Sequence, residues 1–208
     1  MRTIDFDNWD RAGHYAFFMR MDIPQYNVGA NLDISRFLPR TKARGLAFSF
    51  AATFAVAAAI NEVDAFRYRI RGERVVLHER VHPAFSYLAP GDAYFKMVAA
   101  DLTDSLETFV RDAREKALRQ TEAFAFADVA DRDDLIYISS IPWVSFTHVT
   151  HTISLNKTDA VPRISWGKYF SENGRTLLPF NVQAHHAFVD GNHMGDLYDR
   201  LQHRLDTL

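Results

Sequence analysis

Apolar residues recur along this chain in two rhythms, one of helices and one of strands. Leu46, Phe50, Phe54, Ala57 and Ile60 fall three or four apart and predict a helix over 46–61. Phe48 and Val56 lie off that face, so this helix is expected to be buried on more than one side. Asp104, three residues before Glu107, reads as the cap of a helix that runs to about Gln120. Met194, Leu197, Leu201 and Leu205 mark one face of a last helix over 191–205. Residues 8–20 predict a short helix with Asn8 or Asp10 as its cap and Trp9, Tyr15 and Phe18 as its apolar contacts. Period-two alternation predicts strands over 26–34, 65–70, 75–78, 83–88 and 94–99, with Arg71-Gly72-Glu73-Arg74 as a hairpin turn. It also predicts a long strand over 135–154, broken near Pro142, and strands over 163–170 and 176–184 around an Asn173-Gly174 turn. Four helices among mainly antiparallel strands imply an α/β fold, a two-layer sandwich of a mixed, largely antiparallel sheet with helices on one face. No linker or repeat divides the chain, so 1–208 is expected to be a single domain.

Composition narrows the function. The 24 basic and 26 acidic residues leave a formal charge of −2, which excludes a general basic footprint for nucleic acid. There are no cysteines, hence no disulfide, thiolate nucleophile or cysteine metal site. The stretch 46–60 is too short and too rich in alanine to span a bilayer, and acidic residues occupy the place of a leader's apolar stretch. A cytoplasmic protein with no membrane partner is expected.

The chemistry concentrates in Gln183-Ala184-His185-His186-Ala187-Phe188-Val189-Asp190-Gly191. A strand delivers two histidines to a loop, and Gly191 permits a sharp entry into a helix. Histidine titrates nearest neutrality and suits proton transfer. Adjacent strand residues face opposite ways, so at least one of the pair is open to a reading as a core residue. His186, Asp190 and His193 could be read as metal ligands, but no second ligand cluster accompanies them, and no metal is expected.

Motifs spread over nearly the whole chain resemble the chloramphenicol acetyltransferase family. They are Asn8-Trp9-Asp10-Arg11, Tyr26-Asn27, Leu32-Asp33-Ile34, Phe66-Arg67, Val81-His82-Pro83, Pro142-Trp143-Val144-Ser145-Phe146-Thr147, Gly167-Lys168-Tyr169 and the His-His-x-x-x-Asp-Gly segment. The resemblance implies a homotrimer with its active sites at subunit interfaces. It implies transfer of the acetyl group of acetyl-CoA, the co-substrate, to a hydroxyl of chloramphenicol in a ternary complex. By the same resemblance His186 is the general base, Ser145 donates to the oxyanion, and Asp190 pairs with Arg11 to hold the loop. Tyr26, Tyr94, Phe95 and Val149 fall at the acceptor pocket, and Ser165 matches a threonine that holds a water there. Lys168 and Tyr169 fall on the CoA side.

The chain departs from the family at both substrate grips. Ala47 and Ser49 stand where the family has a lysine and a tyrosine for CoA, with Lys42 and Arg44 upstream as alternative phosphate partners. Val149 and His151 occupy a stretch that is more aromatic in the family, Tyr94-Phe95 replaces a Phe-Ser pair, and Ile141 replaces an asparagine before the tryptophan. Two other readings therefore stand beside the first: the same chemistry on a different hydroxylated or amine acceptor, and a non-catalytic hydrophobic ligand-binding module.

Overall fold

The computed structural model describes residues 1–125, 129–130, 132–152 and 155–208. Along the chain it forms β1 (Arg2–Thr3), α1 (Ala12–Phe18), β2 (Gln25–Asp33), α2 (Phe37–Ala43), α3 (Phe48–Asn61), β3 (Tyr68–Arg71), β4 (Arg74–Leu77), β5 (His82–Tyr87), β6 (Lys96–Ala99), α4 (Leu106–Arg119), β7 (Leu135–Ile141), β8 (Arg163–Gly167), β9 (Phe170–Glu172), β10 (Arg175–His185) and α5 (Gly191–Thr207). Short 3-10 turns at Phe6–Asn8 and Asp64–Arg67 complete the order.

The main sheet runs β2-β10-β8-β7-β5-β6, with β9 on the end of β10. β7 is parallel to both β5 and β8, and the other pairings are antiparallel. A small second sheet, β1-β4-β3, carries the hairpin at Gly72, whose φ of 61° favours glycine. The second hairpin turns at Asn173 and Gly174, both with positive φ, as an Asn-Gly turn requires.

Register divides the main sheet into two faces. Val28, Phe180, Val182, Ala184, Ile164, Trp166, Ile136 and Ile138 face the helices and join their core. α3 is buried along most of its length, between the sheet on one side and α4 and α5 on the other. This explains its apolar residues on every side. The opposite face is polar. Asn27 and Gly29 of β2 lie beside Gln183 and Asn181 of β10, which lie beside Arg163 and Ser165 of β8. Asn181, Gln183, Ser165 and His185 are nonetheless buried, because the chain after β7 crosses this face as a strap over 145–152 and 155–160. The strap is stapled to the sheet by polar contacts. His151 N–H donates to Gln183 Oε1 at 3.1 Å, His185 Nε2 to Lys157 O at 3.0 Å, and Gln25 Nε2 to Asp159 O at 2.6 Å.

Several elements differ from the sequence expectation. The strand predicted over 135–154 ends at Ile141, because the turn at Pro142-Trp143 lifts the chain off the sheet to become the strap; residues 153 and 154 of that stretch lie outside the described residues. The described residues hold five α-helices rather than four. α2 was not anticipated because Pro39 interrupts it, yet proline in the first turn is tolerated, since its missing N–H has no partner there. The first helix begins at Ala12, behind a 3-10 turn, with neither Asn8 nor Asp10 as its cap. Ser105, not Asp104, caps α4 through Thr108 N. The strand expected over 65–70 starts at Tyr68 after a turn, and the one expected over 163–170 breaks into β8 and β9. Among the described residues no helix is long and apolar enough to cross a membrane.

Candidate active site

β10 ends at His185, and the next two histidine environments are opposite in kind. His185 is buried, with both ring nitrogens engaged: Nε2 donates to Lys157 O, and Nδ1 accepts from Ala187 N–H at 3.2 Å. It is a core histidine, and burial holds its pKa below the ordinary value. His186 is half-buried. Its ring lies stacked between Phe18, with centroids 4.0 Å apart, and Tyr26 at 4.3 Å. Its Nδ1 is buried 3.4 Å from Asp190 Oδ1, outside hydrogen-bond geometry, and its Nε2 makes no hydrogen bond among the described residues. Two aromatic walls thus fix the plane of an imidazole whose Nδ1 is enclosed beside Asp190 and whose Nε2 is left available.

The loop carrying His186 is clamped by Arg11. Its guanidinium forks onto Asp190 with contacts of 2.6 and 3.1 Å, and its Nε donates to Ala187 O at 3.2 Å. Such charge-assisted hydrogen bonds contribute about 1.5–3 kcal/mol each when made in a partly buried site. Arg11 holds the Asp190 carboxyl below the usual carboxylate range. Asp190 also caps α5 in a reciprocal box: its side chain accepts from His193 N–H, and His193 Nδ1 accepts from Asp190 N–H at 2.9 Å. An aromatic cluster of Phe6, Trp9, Tyr15, Tyr68 and Phe188 presses the N-terminal segment onto the loop and so sets the position of Arg11. Tyr26 OH is buried without a partner; burial, helped by the Asp190 charge, pushes its pKa up to about 12.

Ser145 begins the strap beside the middle of β10. It is exposed, and its Oγ donates to Lys168 O at 2.7 Å. Lys168 N–H in turn donates to Val144 O at 2.8 Å. Gly167 permits this approach, because a Cβ there would stand 2.6 Å from Val144 O. The two motifs around Ser145 and Gly167 are therefore one structural joint. Ser145 shares a hollow of 380 Å³ with Gly29, Phe146, Pro179 and Phe180. Positions 180 to 186 of extended chain, at about 3.3 Å each, put it roughly 20 Å from His186 within one chain.

The remaining expected residues divide between two places. Tyr94, Phe95, Lys168 and Tyr169 line one cleft of 530 Å³ with Phe48, Ser49, Trp143 and Trp166, so residues assigned to the two substrates share a wall. Tyr94 and Trp143 are strongly exposed there. Val149 lies half-buried on the strap. Ser165 is fully buried, with its Oγ 2.6 Å from His151 Nε2. Of the upstream cations, Arg44 is paired with Glu107 and donates to Leu208 O at 2.7 Å. Sequence reasoning did not find the roles of Phe18, His151 and His193. The three-residue spacing of Asp190 and His193 was the signal for the capping box; the other two depend on contacts distant in sequence.

Comparison with known proteins finds relatives along nearly the whole chain. The family model described as chloramphenicol acetyltransferase matches residues 1–202. A chloramphenicol acetyltransferase from Klebsiella sp is 26% identical over 204 residues, covering 98% of this chain and 93% of that protein. A solved chloramphenicol acetyltransferase superposes with a TM-score of 0.91 at 29% identity, covering 98% of this chain and 99% of the other. The dihydrolipoamide acetyltransferase of Azotobacter vinelandii, at 18% identity, shares the fold with a TM-score of 0.67 over 94% of this chain and 86% of its own.

Proposed function

The chain belongs to the chloramphenicol acetyltransferase family, and from that membership we propose that it moves the acetyl group of acetyl-CoA to a hydroxyl of chloramphenicol, with His186 as general base in a ternary complex. The observation that carries the proposal is the His186 imidazole, held flat between Phe18 and Tyr26 on a loop clamped by Arg11 and Asp190. Nε2 takes the proton of the acceptor hydroxyl as its oxygen attacks the thioester carbonyl. The resulting oxyanion accepts a hydrogen bond from Ser145 Oγ, which rotates away from Lys168 O to donate it. The intermediate then collapses with loss of the CoA thiolate, which takes its proton from the His186 imidazolium. The acetyl group passes directly between substrates, with no covalent attachment to the protein.

The cleft bounded by Phe48, Ser49, Trp143 and Tyr169 is the proposed seat of acetyl-CoA, its apolar walls suiting a pantetheine arm. Arg44 is occupied by Glu107, so Lys42 is the nearer candidate for the phosphates. We place the complete site between subunits of a homotrimer, each a single domain. The separation of Ser145 and His186 along β10 supports this, because one chain's base then needs another chain's oxyanion donor.

The test is thiol release from acetyl-CoA with chloramphenicol. We expect turnover by the wild type and a loss of about 100-fold or more in His186→Ala, the usual contribution of a positioned base. Undiminished turnover in that variant would remove the histidine from the scheme. Val149 and His151 favour a second reading, in which the same chemistry serves a different acceptor. Weak acetylation of chloramphenicol beside strong acetylation of another alcohol or amine would select it.

A further inference from the structure

The loop that carries His186 is tied at every backbone N–H. His186 N–H donates to Pro24 O at 2.8 Å, Ala187 N–H to His185 Nδ1 at 3.2 Å, Phe188 and Val189 N–H to His185 O at 3.0 Å each, and Asp190 N–H to His193 Nδ1 at 2.9 Å. All but the last go to Pro24 or His185; the last alone reaches α5. Met194 and Leu197 sink the first turns of α5 into the core, so His193 stands on a fixed support. A ring that accepts at Nδ1 is neutral and carries its proton on Nε2. Three charged groups face that ring: Arg11 from the N-terminal segment, Asp190 on the loop and Asp196 on α5 itself. Burial first, then Arg11, holds its pKa below the ordinary histidine value against the two carboxylates, so the ring is neutral near pH 7.

We infer that His193 is a positioning residue for the reaction: as a neutral ring it fastens the far end of the His186 loop to α5, and as an imidazolium it lets that end go. The inference rests on the acyl-transfer reading, which makes His186 the base. An imidazolium carries a proton on both nitrogens. Nδ1 then meets Asp190 N–H donor to donor, and that N–H loses its acceptor. The new charge is also drawn to the Asp190 carboxylate, which Arg11 already holds with a fork and which lies 3.4 Å from His186 Nδ1. One proton at His193 therefore disturbs both the backbone and the side chain of the residue that braces the base. His185 is a second imidazole acceptor at the near end of the loop, but it is buried, and burial opposes its protonation more strongly than that of the half-buried His193.

Thiol release from acetyl-CoA with chloramphenicol is followed downward from pH 7.5, over the range in which each protein stays folded, for the wild type, His193→Asn and His193→Leu. Asparagine keeps an oxygen acceptor that does not titrate, and leucine offers none. Wild-type kcat/KM should fall on the acid side by about ten-fold more than the single proton taken up by the base explains, the worth of one loop hydrogen bond. His193→Leu should show about that ten-fold loss already at pH 7.5, in kcat, with the KM for both substrates changed by less than about two-fold, because geometry rather than binding is lost. His193→Asn should recover most of the loss at pH 7.5 and follow a one-proton curve below it. An acid limb in His193→Asn that parallels the wild type's would overturn the inference alone, and this comparison decides the case if the leucine variant fails to fold. A folded wild type that releases no thiol would overturn the acyl-transfer reading and this inference with it.

Discussion

At the residue scale the decisive positions are those where a side chain, or its absence, fixes a neighbour. Gly167 is one. Its missing Cβ lets Val144 O receive Lys168 N–H, and that joint presents Ser145. Gly167→Ala should lower stability by about 1–3 kcal/mol, the cost of forcing atoms into a filled space. It should also lower turnover more than the lost stability explains, since Ser145 moves with the strap. Urea unfolding paired with thiol release at a fully folded concentration checks this, and a variant with unchanged midpoint and rate would show that the strap does not rest on this position. At this scale residue type and spacing singled out the segment holding His185, His186, Asp190 and Gly191, while the choice of His186 over His185 came from the family resemblance. Arg11, nearly 180 positions from its partner Asp190, was legible through family resemblance alone, because nothing in local spacing announces such a pair. Phe18 and His151 were not legible in role, since a stacked ring and a buried imidazole look like any other aromatic or polar residue until the chain folds.

At the element scale, three histidines act as acceptors at junctions. His82 Nδ1 accepts from Leu102 N–H at 2.9 Å, His185 Nδ1 from Ala187 N–H, and His193 Nδ1 from Asp190 N–H. Each bond needs the neutral ring, and burial is the largest cause of the lowered pKa in all three. With folded values below the unfolded 6.5, their stabilisation is fully present above pH 6.5 and is lost as pH falls through the lower folded values. Each contributes a slope of at most about 1.4 kcal/mol per pH unit. His193→Asn keeps an oxygen acceptor that does not titrate, so urea unfolding at pH 7.5, 6.5 and 5.5 should show a shallower decline than in the wild type. Parallel declines would exclude His193 as a contributor. Elements with a strong rhythm, α3, α5 and both hairpins, were read correctly from the chain. The stretch after Ile141 was misread because its inward residues alternate like those of a strand, while their partners are side chains of a sheet face rather than a neighbouring ladder.

At the scale of the whole molecule, Ser145 lies beside the middle of β10 and His186 just past its end, and the homotrimer proposed above would reunite them in one site. Two inactive variants make this measurable. Ser145→Ala and His186→Ala, unfolded together and reassembled in equal amounts, should recover about a quarter of wild-type thiol release, since one interface in four joins an intact serine to an intact histidine. Recovery no greater than the sum of the two variants assembled separately would mean that each chain completes its own site. The same separation bears on how such a protein changes over generations. Within one chain Ser145 rests on Lys168 and Gly167 while the His186 loop rests on Arg11 and Asp190, so substitutions that resettle one joint leave the folding of the other alone. A lineage can retailor the strap toward a new alcohol, one side chain at a time, while the proton-moving loop descends untouched, so inherited chemistry and drifting appetite are separately heritable.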